Sequence, residues 1–363
     1  MNLQENIPLA PFTTFKIGGP ARFFCTVRSE VGLMEAVSIA KKEKLRIMVL
    51  GGGSNMLISD AGFPGMVIKN EIMGKSIFPA GKNKFRVSVG AGELWDDVVA
   101  LAVERGLYGI ENLSAIPGTV GAAPVQNIGA YGTDIANTVM TVRAFDVKKM
   151  KMVDLSNKEC AFDYRDSVFK EKKGRYIITR VDLKLTSHGK VNIGYMDLKE
   201  YFRKSEAPVS EKVLSEKDKG KKMNTKYSLV TKPTLQEVRQ AVIDIRWKKL
   251  PDWKLWGTAG SFFKNPIISK SRYDKLKSKH PALPGYQESD GRVKVPLGWI
   301  LDHICHLKGE MAENVGSYEN QALVLVTKPG ATAAQVVAHA KRIMDKVEKE
   351  TGLKIEAEVE WVN

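Results

Sequence analysis

Residues 46–55 read Arg46-Ile47-Met48-Val49-Leu50-Gly51-Gly52-Gly53-Ser54-Asn55. A short apolar run that stops in three glycines has the pattern of a buried strand feeding a tight loop. Strand followed by glycine loop invites a dinucleotide reading, and two standard motifs can be tested against it. The Rossmann pattern needs a third glycine at its sixth position for helix packing, and Met56 stands there. The residues that follow read as strand and turn, not as a long helix. The phosphate-loop pattern needs Gly-Lys-Ser/Thr, which does not follow this loop. Both folds are disfavoured. The loop can still hold an anion, because consecutive N–H groups in a glycine turn form a concavity of partial positive charge. Ser54 and Asn55 add side-chain donors. The competing reading is an ordinary strand-to-strand turn.

Working outward, Ser114–Gly132 (SAIPGTVGAAPVQNIGAYG) is a second glycine-rich segment. It is too broken for one helix and too apolar for a solvated loop. Such a segment lets backbone approach a neighbouring strand or a flat ligand closely. Two glycine-rich surfaces suit a long dinucleotide. Apolar spacing predicts helices over 30–42, 93–104, 235–248, 298–307 and 333–349, and strands over 66–68, 85–89, 141–146, 176–185 and 353–362. Residues 203–228 are polar, Lys-rich and poor in large apolar groups, which predicts an exposed insertion.

Length and composition bound the rest. The 363 residues are too many for one ordinary core and suggest two or three parts. Hydrophobic residues make up 43% and charged ones 27%, as in a globular chain. No basic stretch followed by an apolar one opens the sequence, so no signal peptide is expected. The apolar runs are too short to span a bilayer. Cys25, Cys160 and Cys305 form no disulfide or zinc pattern, which suits a reducing cytoplasm. The formal net charge of +15 would fit nucleic acid or a membrane surface, but also small anionic ligands. No zinc finger, basic heptad helix or aromatic RNA-binding signature accompanies it. No nucleic-acid or membrane partner is expected. His303 and His306 stand three apart on a predicted helix, yet further metal ligands are missing, so no metal site is expected. Cys305 reads as a small core residue.

Five segments taken together carry a resemblance. They are Gly51–Asn55, Pro117-Gly118-Thr119-Val120-Gly121, Gln126-Asn127-Ile128-Gly129-Ala130-Tyr131-Gly132, Tyr164-Arg165-Asp166-Ser167, and Ala259-Gly260-Ser261-Phe262-Phe263-Lys264-Asn265-Pro266. In this order they resemble the UDP-N-acetylenolpyruvoylglucosamine reductase family, from about Thr13 to Trp361. The resemblance implies an α+β protein with a two-part FAD-binding fold of the vanillyl-alcohol-oxidase type and a separate α+β substrate domain. Residues 1–70 and 71–250 would be the two cofactor halves, 251–350 the substrate part, and 351–363 would pack back on the first half. It implies non-covalent FAD, since the first histidine is His188 and Cys25 would be a rare attachment point. It implies NADPH as co-substrate and UDP-N-acetylglucosamine enolpyruvate as substrate, in a cytoplasmic enzyme expected to be a monomer. Gly194-Tyr195-Met196-Asp197-Leu198 matches the subtype with a substrate-covering tyrosine. The insertion at 203–228 departs from the family pattern.

The chemistry so implied needs a cation beside the substrate carboxylate, a partner sharing that carboxylate, and a proton donor over the adjacent carbon. Arg165 suits the first, because guanidinium stays charged and forks onto carboxylates. By spacing alone it could equally pair with Asp163 or Asp166. Ser261 suits the proton donor, although a serine can also cap a turn. Strand alternation puts Glu356, Glu358 and Glu360 on one face and cannot choose among them. The resemblance chooses Glu358. By resemblance again, Tyr195, Lys249, Asn265, Lys308 and Gln321 bind substrate. Gly51, Gly52, Gly53, Ser54, Asn55, Pro117, Gly118, Gly121, Asn127, Gly129, Tyr131 and Arg246 bind the cofactor. Two other readings stay open: a different FAD oxidoreductase of the same fold, which Ser261 argues against, and an idle UDP-sugar-binding module, which the trio Arg165, Ser261 and Glu358 argues against.

Overall fold

A computed structural model describes residues 2–205 and 233–363. The expected Lys-rich insertion lies outside the described residues from 206 onward. Its first positions end a helix, Met196–Ser205, and do not begin a loop.

Three sheets organise the chain. The first runs in the order Leu3–Pro8, Pro20–Val27, Phe63–Asn70, Ile47–Leu50. Its outer pair is antiparallel, and the strands around Phe63–Asn70 are parallel. The helix Glu30–Lys42 covers one face. Ser29 caps it by accepting from the Gly32 N–H, and its buried residues Leu33, Ala36, Val37 and Ala40 fall at helical spacing. The second sheet is antiparallel, in the order Lys151–Ser156, Val139–Asp146, Tyr176–Thr186, Lys84–Gly90, Lys75–Pro79. The helix Trp95–Glu104 packs on it through Trp95, Val98, Val99, Ala102 and Val103. Phe145 and Ile177 of this sheet join Cys25, Val27, Met66 and Ile68 of the first in one core. The two sheets are therefore bound through their side chains, and a cleft opens along their junction.

The third sheet, Gly257–Ser261, Val324–Thr327, Val315–Ser317 and Met311–Ala312, is also antiparallel. It packs against the helices Leu297–His303 and Ala333–Thr351 in a core of its own. A reciprocal Thr332–Gln335 capping box starts the long helix, and Gly352 in the left-handed region ends it. Phe15, Ile17 and Leu57 from the first part enter this same core.

Two sequence expectations need correction. The closing strand is only Glu360–Val362, pairing in parallel with Met56–Ile58. Upstream of it only Ala357 forms a bridge, to Phe263, and the chain bends at 358–359. The helix expected over 298–307 stops at His303. His306 takes φ +52°, which turns it off any helical face shared with His303. Among the described residues no cluster of three His, Cys, Asp or Glu could hold a metal, and no helix is long and apolar enough to cross a membrane.

Candidate active site

A cavity of about 670 Å³ follows the junction of the first two sheets and ends against the third. One end is lined by Arg46, Phe63 and Tyr176, the other by Arg246, Ser261, Asn265 and Glu358. Between them lie the two glycine loops. They touch backbone to backbone: a Cβ on Gly52 would come within 2.8 Å of the Gly118 Cα. Side chains lock this contact. Ser54 Oγ donates to the Pro117 carbonyl at 3.0 Å, and the Asn55 amide donates to Gln126 Oε1 at 2.6 Å and to the Glu358 carbonyl at 3.2 Å. Ser54 and Asn55 thus spend their side chains on the protein itself, not as donors held ready for an anion. The N–H groups of Gly52, Gly53, Ser54 and Asn55 donate to no acceptor among the described residues. A narrow backbone cradle with unspent donors fits an extended pyrophosphate.

The far end is built by three segments. A register shift between Thr258 and Ser261, with Gly260 at φ +72°, bulges the strand Gly257–Ser261 at its end. Bulges re-aim side chains, and here Ser261 turns into the cavity. A Cβ on Gly260 would meet nothing within 4 Å, so that position faces open space. The C-terminal segment then crosses over this strand's end. The Lys264 N–H donates to the Glu356 carbonyl at 3.0 Å, and the Glu358 N–H donates to the Phe262 carbonyl at 2.8 Å. Glu358 is thereby fixed beside Ser261.

Arg165 arrives on a tight turn closed by reciprocal Asp163–Asp166 backbone bonds, with φ +54°. It pairs with neither of those acids. Its Nε lies 3.0 Å from Glu358 Oε1, one terminal nitrogen donates to the Gly129 carbonyl at 2.6 Å, and Asp134 stands at 3.7 Å. The two neighbouring glutamates go elsewhere: Glu356 to Lys264 and Glu360 to Lys173, both partly in solvent. The bend at 358–359 breaks the alternation that made the three look equivalent. Burial pushes the Glu358 carboxyl above its ordinary value; Arg165, Lys170 and Lys264 pull the other way without overcoming it.

Of the residues expected at the cofactor, Gly51 to Asn55, Pro117, Gly118, Gly121, Gly129 and Arg246 line the cavity. Asn127 and Tyr131 stand behind it. The Asn127 amide is spent on the Asp163 carbonyl and the Ala136 N–H. Of the residues expected at the substrate, Asn265 lines the cavity and also accepts from the Leu297 N–H at 2.9 Å. Lys249 pairs with Asp197 at 2.6 Å, Lys308 with Asp302 at 3.0 Å, and Gln321 Oε1 accepts from the Leu323 N–H. Tyr195 lies edge-on to Tyr131, ring centres 5.4 Å apart, at the start of the helix Met196–Ser205. These four sit outside the cavity lining. Lys170 and Lys264 were missed as site residues. Both line the cavity, and the Lys170 ammonium donates to the Arg165 carbonyl at 3.0 Å. Lys264 belongs to the segment Ala259–Pro266, whereas Lys170 sits in an ordinary-looking basic run. Neither Cys25 nor His188, the residues weighed against covalent attachment, is placed for a flavin bond. Cys25 is fully buried with its thiol pushed up to about 11 by burial, and His188 is exposed and outside the cavity lining.

Residues 21–155 match a family profile described as an FAD binding domain, and residues 251–362 match one described as UDP-N-acetylenolpyruvoylglucosamine reductase, C-terminal domain. Cleft, loops and first profile define the class: a two-part FAD-binding protein with a third, separate part. Full-length relatives narrow it. UDP-N-acetylenolpyruvoylglucosamine reductase of Pseudomonas aeruginosa is 37% identical over 99% of this chain and 98% of its own. That of Neisseria meningitidis is 38% identical over 99% and 97%. The chain belongs to the UDP-N-acetylenolpyruvoylglucosamine reductase family. The crystal structure of the enzyme from Thermus caldophilus, 23% identical, covers 100% of both chains with a TM-score of 0.66, so the fold is shared.

Proposed function

We propose that this protein catalyses the FAD-dependent, NADPH-driven reduction of UDP-N-acetylglucosamine enolpyruvate to UDP-N-acetylmuramate, a step in making peptidoglycan precursors. The observation that carries the reading is the Arg165–Glu358 pair at 3.0 Å beside Ser261, at the end of a cleft walled by two glycine loops. Bound FAD supplies the two-electron relay between NADPH and the enolpyruvyl double bond. The protein's own tasks are binding, charge stabilisation and proton delivery. Arg165 holds the substrate carboxylate, on which negative charge grows as the double bond is reduced. Glu358 in its neutral form shares that charge by donating a hydrogen bond. Ser261, which lines the cavity, delivers the proton to the carbon bearing the carboxylate. Arg246 faces the flavin, and Tyr195, Lys249, Asn265, Lys308 and Gln321 grip the nucleotide sugar. In this reading residues 1–70 and 71–250 hold FAD, 251–350 bring the substrate, and 351–363 pack back on the first half. The enzyme works in the cytoplasm as a monomer, without nucleic-acid or membrane partners.

The test is an anaerobic two-step absorbance experiment on purified protein. NADPH should bleach the visible flavin band, and UDP-N-acetylglucosamine enolpyruvate should restore it. A band that stays bleached on substrate addition would remove the substrate assignment. The loop contact makes a second prediction. Gly52→Ala must push Gly118 away, because real Cβ atoms do not sit 2.8 Å from backbone carbon. FAD affinity, read by flavin fluorescence quenching, should fall by about tenfold or more, as a loss of order 1.4 kcal/mol would produce. Unchanged affinity would mean that the loops do not close on the cofactor.

A further inference from the structure

Ala115 stands second in the second glycine segment, two residues before Pro117, and it holds φ +57° without being glycine. For an L residue with a side chain this conformation is costly, so something must impose it. Both polar groups of Ala115 are gripped from the same side of the molecule. Its N–H donates to Asp96 Oδ1 at 2.6 Å, and its carbonyl accepts from Arg246 Nε at 3.1 Å. Asp96 in turn takes a two-pronged bond from Arg239, at 2.6 and 2.9 Å. Arg239 and Arg246 lie seven residues apart on the helix Leu235–Lys249, two turns, and therefore on one face. Burial would raise the Asp96 carboxyl, but Arg239 and the Ala115 N–H hold it below its ordinary range, so it is ionised wherever the enzyme works. The fork is geometrically specific, since only guanidinium offers two parallel donors to one carboxylate.

We infer that Asp96 and Arg239 are positioning residues that hold the Ala115 peptide in its left-handed conformation, and through it set the Ile116–Gly118 wall and the Arg246 guanidinium at the flavin end of the cleft. This rests on the cleft being the FAD site. Neither residue lines the cavity, so any effect on the cofactor must pass through Ala115 and Arg246. Helix Leu235–Lys249 then does more than pack against the helices Trp95–Glu104 and Met196–Ser205: one face of it tensions the cofactor loop.

The experiment uses the full chain and reads FAD itself. FAD dissociation constants are measured by fluorescence quenching, with the visible absorption band recorded, for wild type, Arg239→Gln, Arg239→Lys, Ala115→Gly and the double variant Arg239→Gln/Ala115→Gly. Gln240→Ala, on the same helix and with its side chain bonded to Asp244 among the described residues, controls for helix stability. Arg239→Gln should weaken FAD by about tenfold and shift the band, while Gln240→Ala leaves both unchanged. Arg239→Lys keeps charge but loses the fork, and should lie between. Ala115→Gly alone should be neutral within about twofold, because glycine adopts this conformation unaided. In the double variant glycine should restore FAD affinity to within about threefold of wild type. A purely structural ion pair would not be rescued at residue 115. Wild-type affinity in Arg239→Gln, or no rescue by glycine, overturns the proposal. Wild-type protein that binds no FAD overturns instead the functional reading beneath it.

Discussion

Ser261→Ala should bind FAD and be reduced by NADPH at close to the wild-type rate, yet pass electrons to the enolpyruvyl substrate at least about 100-fold more slowly, in the range expected for a lost general acid. That factor corresponds to about 2.7 kcal/mol of barrier. The asymmetry follows from where the residue sits. Ser261 ends the strand Gly257–Ser261 at a bulge and takes part in none of the contacts that join the two glycine loops. Removing its hydroxyl leaves the cradle, the Arg165–Glu358 pair and the Phe262–Glu358 backbone bond untouched. Flavin reduction needs no proton on a substrate carbon, whereas substrate reduction does. Stopped-flow absorbance separates the two half-reactions in one preparation. Equal slowing of both would mean that Ser261 shapes the pocket and does not deliver the proton.

Much of this arrangement is legible in the sequence, for reasons that are local. The strand before the glycine loop is a continuous apolar run, and helix Glu30–Lys42 carries its own cap in Ser29 and its own apolar stripe. Five motifs in order point to the cleft because each is a backbone requirement: close approach, tight turn or bulge. What is not legible depends on contacts distant in sequence. Alternation could not choose among Glu356, Glu358 and Glu360, because the bend at 358–359 follows from pairing with residues 262–264, almost a hundred positions away. Arg165 has two acids within two residues, but its left-handed turn points the guanidinium past both toward Glu358. Lys170 looks like its neighbours Lys172 and Lys173 until the fold wraps it over the Arg165 carbonyl. Ser54 and Asn55 read as anion donors, whereas the distant partners Pro117, Gln126 and Glu358 claim their side chains.

Glu358→Gln should lower substrate reduction by about 100- to 1,000-fold, the usual cost of losing one group aimed at developing negative charge, and should also remove a pH dependence. The sign follows from the direction of the shift. Burial raises the Glu358 carboxyl, so its neutral, hydrogen-donating form persists to higher pH than an ordinary glutamate's. Wild-type substrate reduction should therefore be flat at low pH and fall as pH rises through that raised value. Glutamine cannot ionise, so this alkaline limb should vanish in the variant while the rate stays low throughout. The same shift acts on stability. A carboxyl raised in the folded state stabilises the fold below its unfolded value, about 4.3, and that contribution disappears as pH rises through the folded value. Thermal melts should accordingly lose a pH-dependent component in the glutamine protein. Lys170 gives an independent handle, since its charge is one of three pulling the Glu358 carboxyl down. Lys170→Met removes that pull, and the alkaline limb should move to higher pH. Flavin reduction by NADPH, measured alongside, controls for damage to the Arg165 turn that Lys170 braces. A limb that moves to lower pH in Lys170→Met would mean that another group titrates in it, and a wild-type rate that climbs with pH would mean that ionised Glu358 is the working form. Its task would then be to orient Arg165 on the substrate carboxylate, and the neutral hydrogen-bond donor would have to be sought among other groups lining the cavity.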